Sequence, residues 1–297
     1  MEKKVFGVNE VVFREGDLGT CFYRIESGTA GVYLNYGEEN QRKLTDMKPG
    51  QYIGEMAIIE SRLIRSTTIV AEEELHLTEI PGNDLNKFFK EEPETILAIM
   101  KQLSGRIRSL TEEYDEVTAF LQEKQDKEAQ KKPGFLERLM KYIEQSKIAK
   151  KYPRQPLEEE AEEDFAGKGE PALPVQAYNE GEIIFREGDP GDCMYAVHGG
   201  SVEVYTNYHT PLEKKLTTLY ANSFFGEMGM IDQETRSATA VVAEDETVLE
   251  QIGPDDLKKL FETNPLEVDM IMRHLSKRLR RLTEDYEAAC EEAAKEN

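Results

Sequence analysis

The chain has 297 residues, 39% of them hydrophobic, and 59 acidic against 37 basic side chains give it a formal net charge of −22. That is enough apolar material for real cores, and the acid excess argues against nucleic-acid phosphates or an anionic membrane as partners, since both require clustered Lys and Arg. Three cysteines without a CxxC or CxxH pair exclude a disulfide framework and a zinc ribbon, no apolar run nears the roughly 20 residues of a membrane span, and the first residues lack a signal-peptide core, so the expected location is the reducing cytoplasm.

Two copies of one module account for most of the chain. Phe13-Arg14-Glu15-Gly16-Asp17 recurs as Phe185-Arg186-Glu187-Gly188-Asp189, an offset of 172 residues, and Gly54-Glu55-Met56 recurs as Gly226-Glu227-Met228 at the same offset. An offset constant over about a hundred residues means a duplicated domain, not a solenoid of short units. In chain order, the first copy opens with the strand signals Val11–Phe13, Cys21–Ile25 and Ala30–Leu34, broken by Gly16-Asp17 and Gly28. Short β-rich runs at this spacing predict a sandwich or barrel.

The copy then ends in a long helix. Ile96, Met100, Leu103, Ile107, Leu110, Tyr114, Val117 and Leu121 alternate spacings of four and three, a heptad seam. Gly105 within it predicts a flexible point or a close packing contact. Residues 126–176 follow as a linker, with an amphipathic helix expected over 135–151 (Phe135, Leu136, Leu139, Met140 and Ile143 at helical spacing) and a solvated acidic tether around 158–164. The second copy repeats the strands, and its seam runs through Val268, Met272, Leu275, Leu279, Leu282, Tyr286, Ala289 and Ala293. The expected division is therefore 1–125, 126–176 and 177–297. Seams of more than three heptads predict that the long helices pair, within one chain as a pseudo-dimer or between two chains as a homodimer.

Between strands and helix each copy carries one signature. The first reads Gly54-Glu55-Met56-Ala57, then Arg65-Ser66-Thr67; the second reads Gly226-Glu227-Met228-Gly229, then Arg236-Ser237-Ala238. With the Phe-Arg-Glu-Gly-Asp turn before it and the helix after it, this pattern resembles the phosphate-binding cassette of the tandem cyclic nucleotide-binding domains found in catabolite activator proteins and protein kinase A regulatory subunits. The resemblance covers nearly everything except the linker. It implies a mainly β fold with helices: two jelly-roll (double-stranded β-helix) domains, each followed by a long C-terminal helix. It also implies that the fourteen cassette residues just named form two ligand sites. The residue types suit that chemistry. A buried Glu55 or Glu227 can accept a hydrogen bond from a ribose 2′-hydroxyl, Arg65 or Arg236 offers paired donors to phosphate oxygens, Ser66 or Ser237 adds a hydroxyl, and the preceding Gly permits close approach of the backbone. In this family a Thr directly after the Arg goes with guanine, so Ser in both copies leans to cyclic AMP over cyclic GMP. The copies differ in spacing: Gly54 to Arg65 is one residue longer than Gly226 to Arg236, which bears on the affinity of the first site.

No Ser/His/Asp or Cys/His set is arranged for catalysis and the four histidines lack metal-ligand spacing, so the chain is expected not to be an enzyme and to hold no metal or cofactor. Cys290 reads as an inert residue on a helix flank. With no helix-turn-helix after the second seam and no inhibitor segment before the first strand, the expected function is a cyclic nucleotide receptor without a cis output, signalling to a protein partner in trans as its long helices rearrange. The competing expectation is a structural or interaction protein with idle sites.

Overall fold

The structure is a computed structural model and describes residues 2–39, 41–60, 63–82, 91–124, 134–135, 137–143, 171 and 173–295. The first repeat folds into eight strands: β1 (Glu2–Phe6), β2 (Val11–Phe13), β3 (Cys21–Ser27), β4 (Ala30–Leu34), β5 (Arg42–Met47), β6 (Tyr52–Ile53), β7 (Thr68–Ala71) and β8 (Leu75–Pro81). They form two antiparallel four-stranded sheets, β1-β8-β3-β6 and β2-β7-β4-β5. The second repeat does the same with β9 (Val175–Tyr178), β10 (Ile183–Phe185), β11 (Met194–Gly199), β12 (Ser201–Thr206), β13 (Lys214–Tyr220), β14 (Phe224–Phe225), β15 (Thr239–Val242) and β16 (Thr247–Ile252), in the orders β9-β16-β11-β14 and β10-β15-β12-β13. These are the two expected jelly-roll domains. Their cores come from the β-branched and aliphatic faces of the strands: Ile25, Val32, Ile53, Ile69, Leu75 and Leu77 in one, Val197, Val202, Phe225, Ala240 and Leu249 in the other.

A short helix, α1 (Glu55–Ile59), follows β6, and the first long helix, α2, runs Pro93–Lys124. Their counterparts are α3 (Glu227–Asp232) and the second long helix, α5 (Pro265–Ala294). Between β16 and α5 lies α4 (Pro254–Thr263), which the strand-and-seam reading misses. Its signals are present: Pro254 at the first helical position, acids in the first turn, and Asp256 accepting the Gly253 N–H at 3.3 Å.

The chain divides into two compact units whose boundaries cut through both long helices, between Ser104 and Gly105 and between His274 and Leu275. One unit combines the first barrel with residues 105–158 and 275–297; the other combines the second barrel with residues 84–104. Within the first unit, Val117 and Phe120 of α2 share one core with Tyr286, Ala289, Cys290 and Ala293 of α5. The two seams thus meet inside one chain. Cys290, expected on a helix flank, is fully buried there, because the α5 stripe at this level is wider than the strict heptad seam.

The linker helix closes the same core. Residues 137–143 are helical, entered from Phe135, and the expected continuation to 151, the acidic tether and Leu136 lie outside the described residues. Phe135, Leu139 and Tyr142 are buried against Phe120, with ring centroids 4.8 Å (Phe135) and 5.1 Å (Tyr142) from it. Arg138 bonds Glu123 at 2.8 Å and Lys141 lies 3.3 Å from Glu116. Met140, assigned to the apolar face from its spacing, is 61% exposed; the buried stripe passes through Tyr142 instead.

A Cβ added at Gly105 meets nothing within 4 Å, which removes close packing as the reason for this glycine. Gly105→Ala is therefore expected to stabilise the chain by about 0.5–1 kcal/mol through backbone entropy, read as an increased urea midpoint. If nucleotide affinity stays unchanged, no hinge is needed at this position.

Candidate functional site

Each site is built around one buried arginine. The Phe-Arg-Glu-Gly-Asp motif makes a tight turn in which Asp17 accepts the Arg14 N–H at 2.8 Å and Asp189 accepts the Arg186 N–H at 2.7 Å. The turn then binds the backbone of the site arginine. Gly16 N–H donates to the Arg65 carbonyl and Arg65 N–H to the Asp17 carbonyl, both at 2.9 Å, and Gly188, Arg236 and Asp189 repeat this pair at 2.9 and 2.8 Å. Phe13 and Phe185 of the same motif stack against the guanidinium groups, each 4.2 Å from the ring centroid. A sequence motif some fifty residues before the cassette arginine is thus its mount.

Arg65 and Arg236 are each 4% exposed. Arg65 donates to the Gly54 and Cys21 carbonyls at 2.8 and 2.6 Å. Arg236 donates to the Gly226 carbonyl at 2.6 Å and lies 3.5 Å from the Cys193 sulfur. In both, Nε is buried without a hydrogen-bond partner among the described residues, although an unsatisfied buried donor costs about 1–3 kcal/mol. The carboxylate of Asp192 stands 3.7 Å from Arg236 with its side chain 83% exposed, a contact that solvent screens to little. Two cations are thus held inside the protein with donor capacity to spare, an arrangement that suits an anionic group.

The glycine before each glutamate is required twice over. Gly54 and Gly226 have φ of 80° and 74°, in the left-handed region, and a Cβ there would stand 2.4 and 2.7 Å from Nη1 of Arg65 and Arg236. Glu55 and Glu227, 4% and 1% exposed, open the short helices α1 and α3. In the first repeat, Gly54, Glu55, Met56, Ala57, Arg65, Ser66 and Thr67 line one pocket together with Phe13, Tyr52 and Arg106. Ser66 is exposed and Thr67 half-buried; in the second repeat Met228, Gly229 and Ala238 are buried and Ser237 is exposed. Leu63 in the first cassette and Gln233 in the second each take a left-handed φ, of 56° and 59°.

Sequence reading missed Arg106, whose Nη1 lies 3.7 Å from Glu55 and 3.6 Å from the Met56 sulfur. Nothing in the helix pattern separates it from the other arginines of the two long helices. Two cysteines 172 residues apart contribute the Cys21 carbonyl and the Cys193 sulfur to the arginine mounts. Gly19 was missed too: a Cβ there would stand 2.3 Å from the Arg65 guanidinium carbon.

The cyclic nucleotide-binding domain family matches residues 3–92 and 175–264. The chain belongs to that family. It is 28% identical over 238 residues to the cAMP-dependent protein kinase regulatory subunit of Blastocladiella emersonii, covering 80% of this chain and 47% of that protein. It is 35% identical over 103 residues to the Cyclic AMP receptor protein of Thermus thermophilus, covering 35% of this chain and 47% of that one. Among solved structures, the chain described as cAMP bound PfPKA-R (141–441) is 18% identical and covers 97% of this chain and 79% of its own, at a TM-score of 0.34. The chain spans about half the length of the curated regulatory subunits it matches.

A second cluster of charges distinguishes the two family domains. His198, which the sequence reading treats as ordinary, places Nε2 2.5 Å from Oε2 of Glu250. Glu250 is fully buried and also accepts the Leu173 N–H at 2.7 Å. Glu267, in the first turn of α5, is 8% exposed and accepts from the Asn264 amide at 2.9 Å. Burial pushes the Glu267 carboxyl up to about 7; the charge of Glu250 adds to this, while His198 and the Asn264 amide oppose it. At the corresponding positions the first repeat has Thr78, Glu26 and Thr95, and Thr78 simply donates to Glu26 at 2.6 Å. The folded state holds the Glu267 proton above the usual carboxylate pKa of 4.5, so it binds more protons than the unfolded chain between about pH 4.5 and 7. Its stability contribution is complete below that window and is lost as pH rises through it. Glu267→Gln is expected to flatten this loss, at most about 3 kcal/mol, in urea unfolding compared at pH 5 and 7.5. Parallel pH dependence in both proteins would show that Glu267 does not titrate there.

Proposed function

We propose that this chain is a receptor for a 3′,5′-cyclic purine nucleotide, cyclic AMP in preference to cyclic GMP, and that it acts on a protein partner in trans. The observation that carries the reading is the pair of buried arginines, each with an unpartnered Nε and each adjoining a buried glutamate. A cyclic nucleotide offers one anionic phosphate for Arg65 or Arg236 and one free 2′-hydroxyl for Glu55 or Glu227. Ser66 and Ser237, in place of threonine, favour adenine by family resemblance. The output we assign is a change in how the long helices meet. With the seams meeting inside one chain, the receptor works as an internal pseudo-dimer, and its three cysteines, none of them in a disulfide, fit a reducing cytoplasm.

Calorimetry on protein freed of co-purified nucleotide tests the reading. Saturable heat with cyclic AMP, weaker heat with cyclic GMP and two sites per chain are expected. Absence of binding to either nucleotide would leave the interaction-scaffold reading in its place.

A further inference from the structure

The far end of each cassette helix is held by the long helix of the other repeat. Glu60, immediately after α1, is 7% exposed, and its own N–H donates back to the Met56 carbonyl at 2.9 Å. Its carboxylate accepts from the Ser276 hydroxyl at 2.6 Å and from both Nε, at 3.3 Å, and Nη2 of Arg280. Both partners lie on α5, within the unit that contains the first barrel. In the other unit, Asp232 at the end of α3 accepts from the Ser104 hydroxyl of α2 at 2.8 Å. Glu60 and Asp232 are 172 residues apart, and so are Ser104 and Ser276. One contact therefore occurs twice with the helices exchanged, and both serines are fully buried.

Nothing in the helix pattern singles out these residues. Yet a buried carboxylate clasped by a guanidinium and a hydroxyl is a strong, directional contact. The α1 helix is only five residues long, about 7.5 Å at helical rise. Glu55, which faces the nucleotide in the proposed function, stands at one end and Glu60 follows the other. Fixing Glu60 fixes where Glu55 sits.

We propose that Glu60 and Asp232 are positioning residues for the two nucleotide cassettes, each completed by a serine of the other repeat's long helix, with Arg280 reinforcing the first. The inference rests on the cassettes binding a cyclic nucleotide. It makes the affinity of each site depend on the helix that follows the other barrel, a physical route for one site to sense the other.

The test uses the full chain with Arg236→Ala, so that only the first site reports. Hydrogen exchange of the 55–59 amides is followed without nucleotide, and cyclic AMP affinity is then measured by calorimetry. Glu60→Gln and Arg280→Met are each expected to speed that exchange and to weaken binding about 5- to 20-fold. The double variant should be no weaker than the worse single. Arg280→Lys should recover part of the loss, and Ser276→Ala, which deletes a single hydroxyl, should move both readouts the same way by less. Unchanged exchange overturns the inference whether or not nucleotide binds, and so does faster exchange with undiminished affinity. Faster exchange in a parent that binds no nucleotide would retire the receptor reading of the first site while upholding the clasp on its cassette.

Discussion

Arg236→Ala is expected to remove at least about 100-fold of the second site's affinity for cyclic AMP, leaving calorimetry to count one site per chain. Two charge-assisted donors to phosphate contribute about 1.5–3 kcal/mol each, and a tenfold change in affinity corresponds to about 1.4 kcal/mol. The variant also loses the bond to the Gly226 carbonyl and the stack on Phe185. Arg236→Lys separates these effects: it keeps a charge but not the planar fork, and should fall between alanine and wild type. Arg65→Ala should do the same at the first site, where no carboxylate lies within ion-pair distance of the guanidinium among the described residues. The doubly substituted chain should bind nothing. Two undiminished sites in Arg236→Ala would remove this arginine from the nucleotide site altogether.

Phe120→Ala is expected to destabilise the chain by about 3–5 kcal/mol, the usual cost of emptying a buried aromatic position. Phe120 is fully buried between the linker helix, through Phe135 and Tyr142, and a core that also holds Tyr286 and Cys290. Its removal therefore leaves a cavity where three helices meet, and urea unfolding measures the loss. Light scattering on the wild type should give one chain mass, because each seam already has its partner in the same chain. A stable dimer that falls apart on Leu279→Asp would instead show that the seams pair between chains.

Much of this was legible beforehand because duplication makes a sequence check itself. The 172-residue offset holds through Phe13, Gly54 and Ile107, so the strands, the cassettes and both seams could be read twice, and the two barrels and long helices stand where those readings put them. Period also carried information where one face is buried over many turns, as in α2 and α5. It failed for the short linker helix, where a single turn decides between Met140 and Tyr142, and for Cys290, since a heptad template excludes a residue that a wider apolar face buries.

Residue type alone named Arg65, Arg236, Glu55 and Glu227 as candidates, because few side chains match a phosphate and a sugar hydroxyl. It could not show that Phe13 and Phe185 carry the arginine planes, that Gly54 and Gly226 are needed for the arginines as well as for the backbone, or that Arg106 approaches Glu55. Nor could it connect His198 with Glu250 and Glu267, or Glu60 with Ser276 and Arg280. Hydrophobic period, turn chemistry and repeat register are local properties and are written along the chain. Contacts between groups fifty to more than two hundred residues apart depend on how finished elements pack, and only the tertiary structure decides them.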